Sequence, residues 1–261
     1  MARTPLLASI LLLATVATGT TGCATLGLEH PPTAAPATPT VERSSARPTA
    51  PTTSPVLTEA QARAALITET DLGPPWTKTQ GAATWRDGML KATTSTPDCQ
   101  KLLDALYADE VLGGPARAVV GLDDPDAGAQ LRYQLSGGRP ADVDRGLAWL
   151  RTMPQKCARF TAKATGDTVL DVQVSELPLP EVGDVRQGLR VTLTIWASAE
   201  DNPGGNPTAL TLDVAAVRAG EDAFALTNGG LNDAPNAATQ AAVQLGVRRL
   251  ADVRQLGKVQ V

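Results

Sequence analysis

Apolar and polar positions change their spacing several times along the 261-residue chain. The first pattern is a nearly unbroken apolar run from Leu6 to Ala17, preceded by Arg3 and followed by the small residues Thr18 to Gly22 and then Cys23. Basic, then apolar, then small is the order of an export signal. The run is shorter than the roughly 20 residues that span a bilayer. From Ala24 to Pro55 the apolar periodicity disappears, and Thr, Pro, Ala and Ser dominate. Such a stretch cannot bury enough surface to fold, which predicts an extended tether. Helical spacing begins at Leu57. Thr58 and Gln61 have the separation of a capping box, predicting a helix from Glu59 to about Ile67 that Leu72-Gly73-Pro74-Pro75-Trp76 breaks. Leu102, Leu103, Leu106 and Tyr107 predict a second helix from Pro97 to about Val111, and Val143, Leu147 and Leu150 a third from Pro140 to Met153.

A period of two marks the rest. A strand is expected over Gly88 to Thr94, and a hairpin over Ala116 to Leu122 and Ala129 to Leu135. The second hairpin strand sets Leu131, Tyr133 and Leu135 against Arg132, Gln134 and Ser136. Beyond Ala158, strands are expected over Val169–Val174, Leu189–Ala197, Thr208–Val217 and Ala223–Thr227. A closing helix runs from Asn236 to about Leu256, with Ala237, Ala241, Leu245 and Leu250 inward. The pattern predicts an α+β fold, a mostly antiparallel sheet packed with N-terminal, middle and C-terminal helices. The organisation is a signal peptide over 1–22, a tether over 23–56 and a globular domain over 57–261.

Cysteine placement sharpens this. Thr20-Thr21-Gly22-Cys23 resembles the lipobox of bacterial lipoproteins, where the signal is cut before a cysteine that carries diacylglycerol. Thr20 stands where that motif usually has Leu; Gly22 and Cys23 fit. An ordinary secretory cut after Ala24 is the alternative. The resemblance implies a protein held on the extracytoplasmic face of the cell membrane by acylated Cys23. In that compartment oxidation is the default, so Cys99 and Cys157 are expected to form a disulfide. A redox pair needs a closer, CxxC-like spacing.

Composition mostly excludes. Net charge is −4 and no basic block occurs, which argues against nucleic acid as a partner. His30, in the tether, is the single histidine, so the domain holds no Ser-His-Asp or Cys-His device and no histidine-based zinc site. No phosphate-cradling glycine loop or nucleophile elbow is present, and nothing implies a cofactor. A carboxylate-based enzyme survives these exclusions, but no acidic pair stands out, and a non-catalytic protein is expected. Asp124-Pro-Asp126-Ala-Gly128 reads as an acidic hairpin turn, since it lacks the further ligands of a calcium loop.

The most informative strand is Leu189 to Trp196. Arg190, Thr192, Thr194 and Trp196 share one face, opposite Leu189, Val191, Leu193 and Ile195. A Trp on a polar face is unusual, because a large ring normally seeks burial. If Arg132, Gln134, Asp171, Gln173, Thr211 and Asp213 on neighbouring strands align with it, they form a polar floor with an aromatic edge. That floor would suit a glycan or an anionic ligand. The plainer alternative is a solvated sheet face with Trp196 tucked under a helix or loop.

Several features together, Asp71-Leu72-Gly73 closing the first helix, then Trp76, Cys99 early in a helix, and Cys157 followed by Phe160, resemble the extracellular sensor domain of PknH-type receptor kinases and related free-standing lipoproteins of high-GC Gram-positive bacteria. The resemblance covers roughly residues 57 to 256. It implies a single disulfide-bonded α+β domain with a ligand groove on one sheet face. The kinase-linked members are expected to carry two disulfides, and this domain has cysteines for one. The expected function is that of a lipid-anchored, non-catalytic ligand-binding or sensor-like lipoprotein facing a cell-wall or small-molecule ligand, with any protein partner undefined. An envelope lipid carrier and a structural or partner-binding envelope protein are the alternatives.

Overall fold

The computed structural model describes residues 56–81, 83–196, 206–231 and 236–259. Cys23, the export signal and the tether up to residue 55 lie outside the described residues, as does Ala197. Among the described residues, eight strands form one sheet in the order β1-β2-β3-β8-β7-β6-β5-β4, with every neighbouring pair antiparallel. The strands are β1 Thr77–Lys78, β2 Ala116–Asp124, β3 Ala129–Ser136, β4 Arg159–Lys163, β5 Val169–Glu176, β6 Val185–Ile195, β7 Thr208–Ala219 and β8 Asp222–Leu231. The helices are α1 Glu59–Ala64, α2 Glu69–Leu72, α3 Pro97–Ala108, α4 Pro140–Lys156 and α5 Asn236–Val259. The α+β architecture with N-terminal, middle and C-terminal helices is therefore present.

Two apolar layers sandwich the sheet. α3 and α4 cover one face through Leu102, Leu103, Leu106, Val143, Leu147 and Leu150, which pack on Val172, Val191, Leu193, Leu212 and Val214. On the other face, α1 and α5 lie against Leu122, Leu131, Tyr133, Phe224 and Leu226. Cys99 and Cys157 are bonded, 5.6 Å apart at Cα, and join the first turn of α3 to the end of α4. Both are buried in the α3/α4 layer.

Local chemistry accounts for most ends. Thr58 and Gln61 form the expected capping box, but α1 stops at Ala64, and a second box, Thr68 with Asp71, starts the separate helix α2. At the β2–β3 hairpin the Asp124 carboxylate accepts from the backbone N–H of Asp126 and of Ala127, both at 3.0 Å, and Gly128 supplies the left-handed φ of +62°.

Three expectations are corrected. Gly88–Thr94 is not a strand: Arg86–Leu90 is a π-helix, and Thr93 makes only an isolated bridge to Lys163. Met89 and Leu90 are adjacent yet both buried, a pairing that a two-residue alternation does not produce. Arg159–Lys163 is an edge strand that the alternation did not mark. On α5 the inward face is Ala238, Ala242, Val243, Leu250 and Val253, whereas Ala237 and Ala241 are exposed. Two contacts set that rotation. Thr239 bonds to the sheet residue Asp213, and Gly246 sits so close to β3 and β8 that an added Cβ would lie 2.8 Å from both Tyr133 Oη and Phe224 Cζ.

Candidate functional site

Register decides which polar residues meet. Across β4, β5, β6 and β7 on the α5 side of the sheet, Arg159, Gln173, Thr192 and Thr211 form one row. Thr161, Asp171, Thr194 and Ala209 form the next. A third row runs Ser175, Arg190, Asp213 and Asn228 from β5 to β8. α5 and α1 cover the β2, β3, β8 and β7 part of this side, and no apolar residue of β4, β5 or β6 joins that layer. The remaining part is an open polar face on which Thr161 and Gln173 are exposed and Thr192 and Thr194 half-buried.

Trp196 stands at its end, one residue beyond β6, with 65% of its surface exposed. Continuing the β5–β6 register by one step sets it opposite Val169, itself 55% exposed. Most of the residue's surface is open, so it is not buried under a helix.

The charged groups on this face are mutually engaged. Arg190 Nε donates to Asp213 Oδ1 at 2.7 Å and Nη2 to Oδ2 at 3.1 Å. Asp213 is fully buried, and its Oδ2 also accepts from Asn236 Nδ2 at 3.0 Å and Thr239 Oγ1 at 3.2 Å. Asn228 Nδ2 donates in turn to Thr239 Oγ1 at 3.1 Å. This network ties β6, β7 and β8 to the first turn of α5, where the helix's N-terminal dipole favours a carboxylate. Nearer the edge, Arg159 Nε donates to Asp171 Oδ1 at 3.1 Å, and its Nη2 pairs with Oδ2. Hydrogen bonding to that carboxylate raises the Arg159 pKa further above its already high value.

Arg132 and Gln134 do not belong to this floor. Their register partners on β8 are Thr227 and Ala225, which place both on the α3/α4 side of the sheet. Arg132 Nε lies 2.8 Å from Asp109 Oδ2, and the buried Arg86 pairs with Asp109 Oδ1, also at 2.8 Å. Arg86 Nη2 reaches the carbonyls of Leu106 and Tyr107 as well, both at 3.2 Å, so the cluster caps the C-terminus of α3. Gln134 is buried beside it. Alternation within β3 correctly separated Arg132 and Gln134 from Leu131 and Tyr133. It carried no information on which side of β6 they share, because two intervening strands fix that. Asn228, Asn236 and Thr239 were missed for a related reason: they come from β8 and from the first turn of α5, and no spacing links them to Asp213.

Two open grooves flank the α3/α4 side. One, of about 480 Å³, lies between Arg151 of α4 and the 176–188 stretch. The other, of about 400 Å³, lies between α3 and α4, with Lys101 Nζ 4.7 Å from the centroid of the Trp149 ring. Charged side chains line both, and neither is the enclosed aliphatic chamber that an acyl chain requires.

The fold is similar to the crystal structure of the extracellular domain of PknH from Mycobacterium tuberculosis, with 18% sequence identity, 75% of this chain and 97% of that chain covered, and a TM-score of 0.43. No protein-family model matches the chain, and no curated protein does.

Proposed function

We propose that this chain is a non-catalytic, sensor-like ligand-binding module on the extracytoplasmic side of the membrane, anchored through acylated Cys23, and that its ligand lies on the open polar face of β4, β5 and β6. The observation that carries the reading is Trp196, 65% exposed at the end of a face made mostly of hydroxyl, amide and charged groups, with Lys163 and Val169 in its own cross-strand row. A large exposed ring costs solvation that a bound ligand recovers. The buried Cys99–Cys157 bond supports an oxidising compartment, in keeping with the export signal in the sequence. Partner binding by the same face is the second reading, favoured because no walls enclose it among the described residues. Lipid carriage has the least support, since the two grooves are open and charged.

The test is a titration of the secreted mature protein with a soluble cell-envelope extract, followed by NMR of the Trp196 indole and the backbone of β4, β5 and β6. Saturable shifts confined to this face are expected. Shifts confined to the α3–α4 groove, or none at all, overturn the assignment. Separating the extract by size before titration tells a small ligand from a protein partner.

A further inference from the structure

We infer that the end of the open face binds an acidic β-linked glycan laid across the strands, with one ring stacked on Trp196 and the carboxylate of another at Lys163. The inference rests on the reading of this face as a ligand site and names the class of that ligand. Register comes first. Lys163 pairs with Val169, and one further step of the β5–β6 register adds Trp196. A cation, an aliphatic side chain and an aromatic ring therefore stand in one row across β4, β5 and β6, and all three are exposed. In the adjacent row the Thr161 and Thr194 hydroxyls flank the Arg159–Asp171 pair. Each hydroxyl donates and accepts, as sugar hydroxyls do.

Charge comes second. The cations that β4, β5 and β6 place on this side of the sheet are Arg159, Arg186, Arg190 and Lys163. Arg159 is paired with Asp171, Arg186 with Glu181 and Arg190 with Asp213. Lys163 enters no ion pair among the described residues, so it carries the charge that these pairings leave over. A carboxylate matches that charge, and a neutral ligand does not. Spacing comes third. Neighbouring strands lie about 4.8 Å apart, so the backbone of Lys163 stands about 10 Å from that of Trp196. A β-linked glycan advances about 5 Å per ring, which sets one ring on Trp196, the next over Val169 and a third at Lys163. An extended peptide presents side chains to one face only about every 7 Å and falls out of step with the row. The exposed indole and Val169 supply the apolar surface on which the C–H faces of the first two rings lie.

The test titrates the mature protein with a hyaluronan tetrasaccharide, with chitotetraose as its uncharged counterpart and with tetraglutamate as the acidic peptide. The hyaluronan fragment is expected to saturate the protein about fivefold more tightly than chitotetraose, the scale of one exposed ion pair. Shifts should appear at Lys163, Val169 and Trp196, with smaller ones at Thr161 and Thr194. Lys163→Gln should erase the preference for the acidic fragment and leave chitotetraose binding unchanged. Trp196→Ala should weaken both about tenfold, and neither substitution should move the thermal unfolding midpoint. The inference is overturned if the hyaluronan fragment does not bind, if chitotetraose binds as tightly, if Lys163→Gln keeps the preference, or if tetraglutamate binds more tightly than either glycan. Should the envelope extract shift Trp196 while both tetrasaccharides do not, the ligand-site reading survives and the acidic glycan does not. Should none of them shift it, both fall.

Discussion

Asp213 and Arg190 show how burial assigns different consequences to the two ends of one ion pair. Asp213 is fully buried, whereas the Arg190 side chain keeps 34% of its surface. Arg190→Ala leaves a carboxylate in the protein interior with, among the described residues, the Asn236 and Thr239 donors, and removing one partner of a buried pair costs about 3 kcal/mol or more. Asp213→Asn leaves a guanidinium that can turn to water, and should cost about 1–2 kcal/mol. Urea unfolding of the two variants checks the order, and a larger loss for Asp213→Asn would contradict it. Binding lost in Arg190→Ala is therefore not evidence of a ligand contact, since the same change loosens the start of α5.

Tyr133 is the other buried polar group with a clear consequence. Its ring packs on Phe224 with centroids 5.0 Å apart, and its hydroxyl is buried with no hydrogen-bond acceptor among the described residues. Tyr133→Phe removes a hydroxyl that folding must desolvate, so stability should stay level or rise by up to about 1 kcal/mol. Burial pushes the phenol pKa well above its ordinary 10.0. Above that value the unfolded chain loses the proton and the folded one keeps it, so stability falls as pH rises. The slope approaches about 1.4 kcal/mol per pH unit from this residue alone. Unfolding measured from pH 9 to pH 11 should show Tyr133→Phe losing less stability than the native chain; parallel curves would refute the assignment.

Between elements, the strongest single constraint is the Cys99–Cys157 bond, which closes a sequence separation of 58 and fastens α3 to the end of α4. Loop-closure entropy gives such a link about 4 kcal/mol as an upper figure. Replacing both cysteines by Ala should lower the thermal midpoint by about 10 °C, and a reductant should do the same to the native protein once it unfolds enough to expose the bond. An unchanged midpoint would mean that the α3–α4 packing alone holds the layer.

The pair was legible in the sequence because compartment and cysteine count leave few alternatives. The long strands were legible because one-sided burial writes itself as alternation, as in Leu189, Val191, Leu193 and Ile195 of β6. β4 was not, since the five residues Arg159–Lys163 offer only Phe160 and Ala162 as an inward pair. The π-helix escaped because Met89 and Leu90 are buried by a local winding that has no common sequence signature. The candidate face was half legible. Arg190, Thr192, Thr194 and Trp196 follow from one strand's own alternation, and Asp171, Gln173, Thr211 and Asp213 align with it. Arg132 and Gln134 fall on the other side because faces are matched through registers, and registers are set by side-chain packing across β7 and β8.

At the scale of the whole molecule, the folded part and the segments before it answer different questions. On the function proposed above, the open face would define what is bound, and the lipobox-like sequence before it where. That proposed location requires a durable anchor. One acyl chain gives only marginal, reversible membrane binding, whereas the diacylglycerol expected on a lipobox cysteine supplies two chains and holds the protein stably. Cys23→Ser should therefore move the protein from the membrane fraction to the medium without altering its unfolding midpoint, because the proposed anchor precedes the described residues in the sequence. Retention of Cys23→Ser on membranes would point to a different anchor. Release of the native protein itself into the medium would show that the signal is cut after Ala24, and would replace a tethered sensor with a freely diffusing binder of the same face.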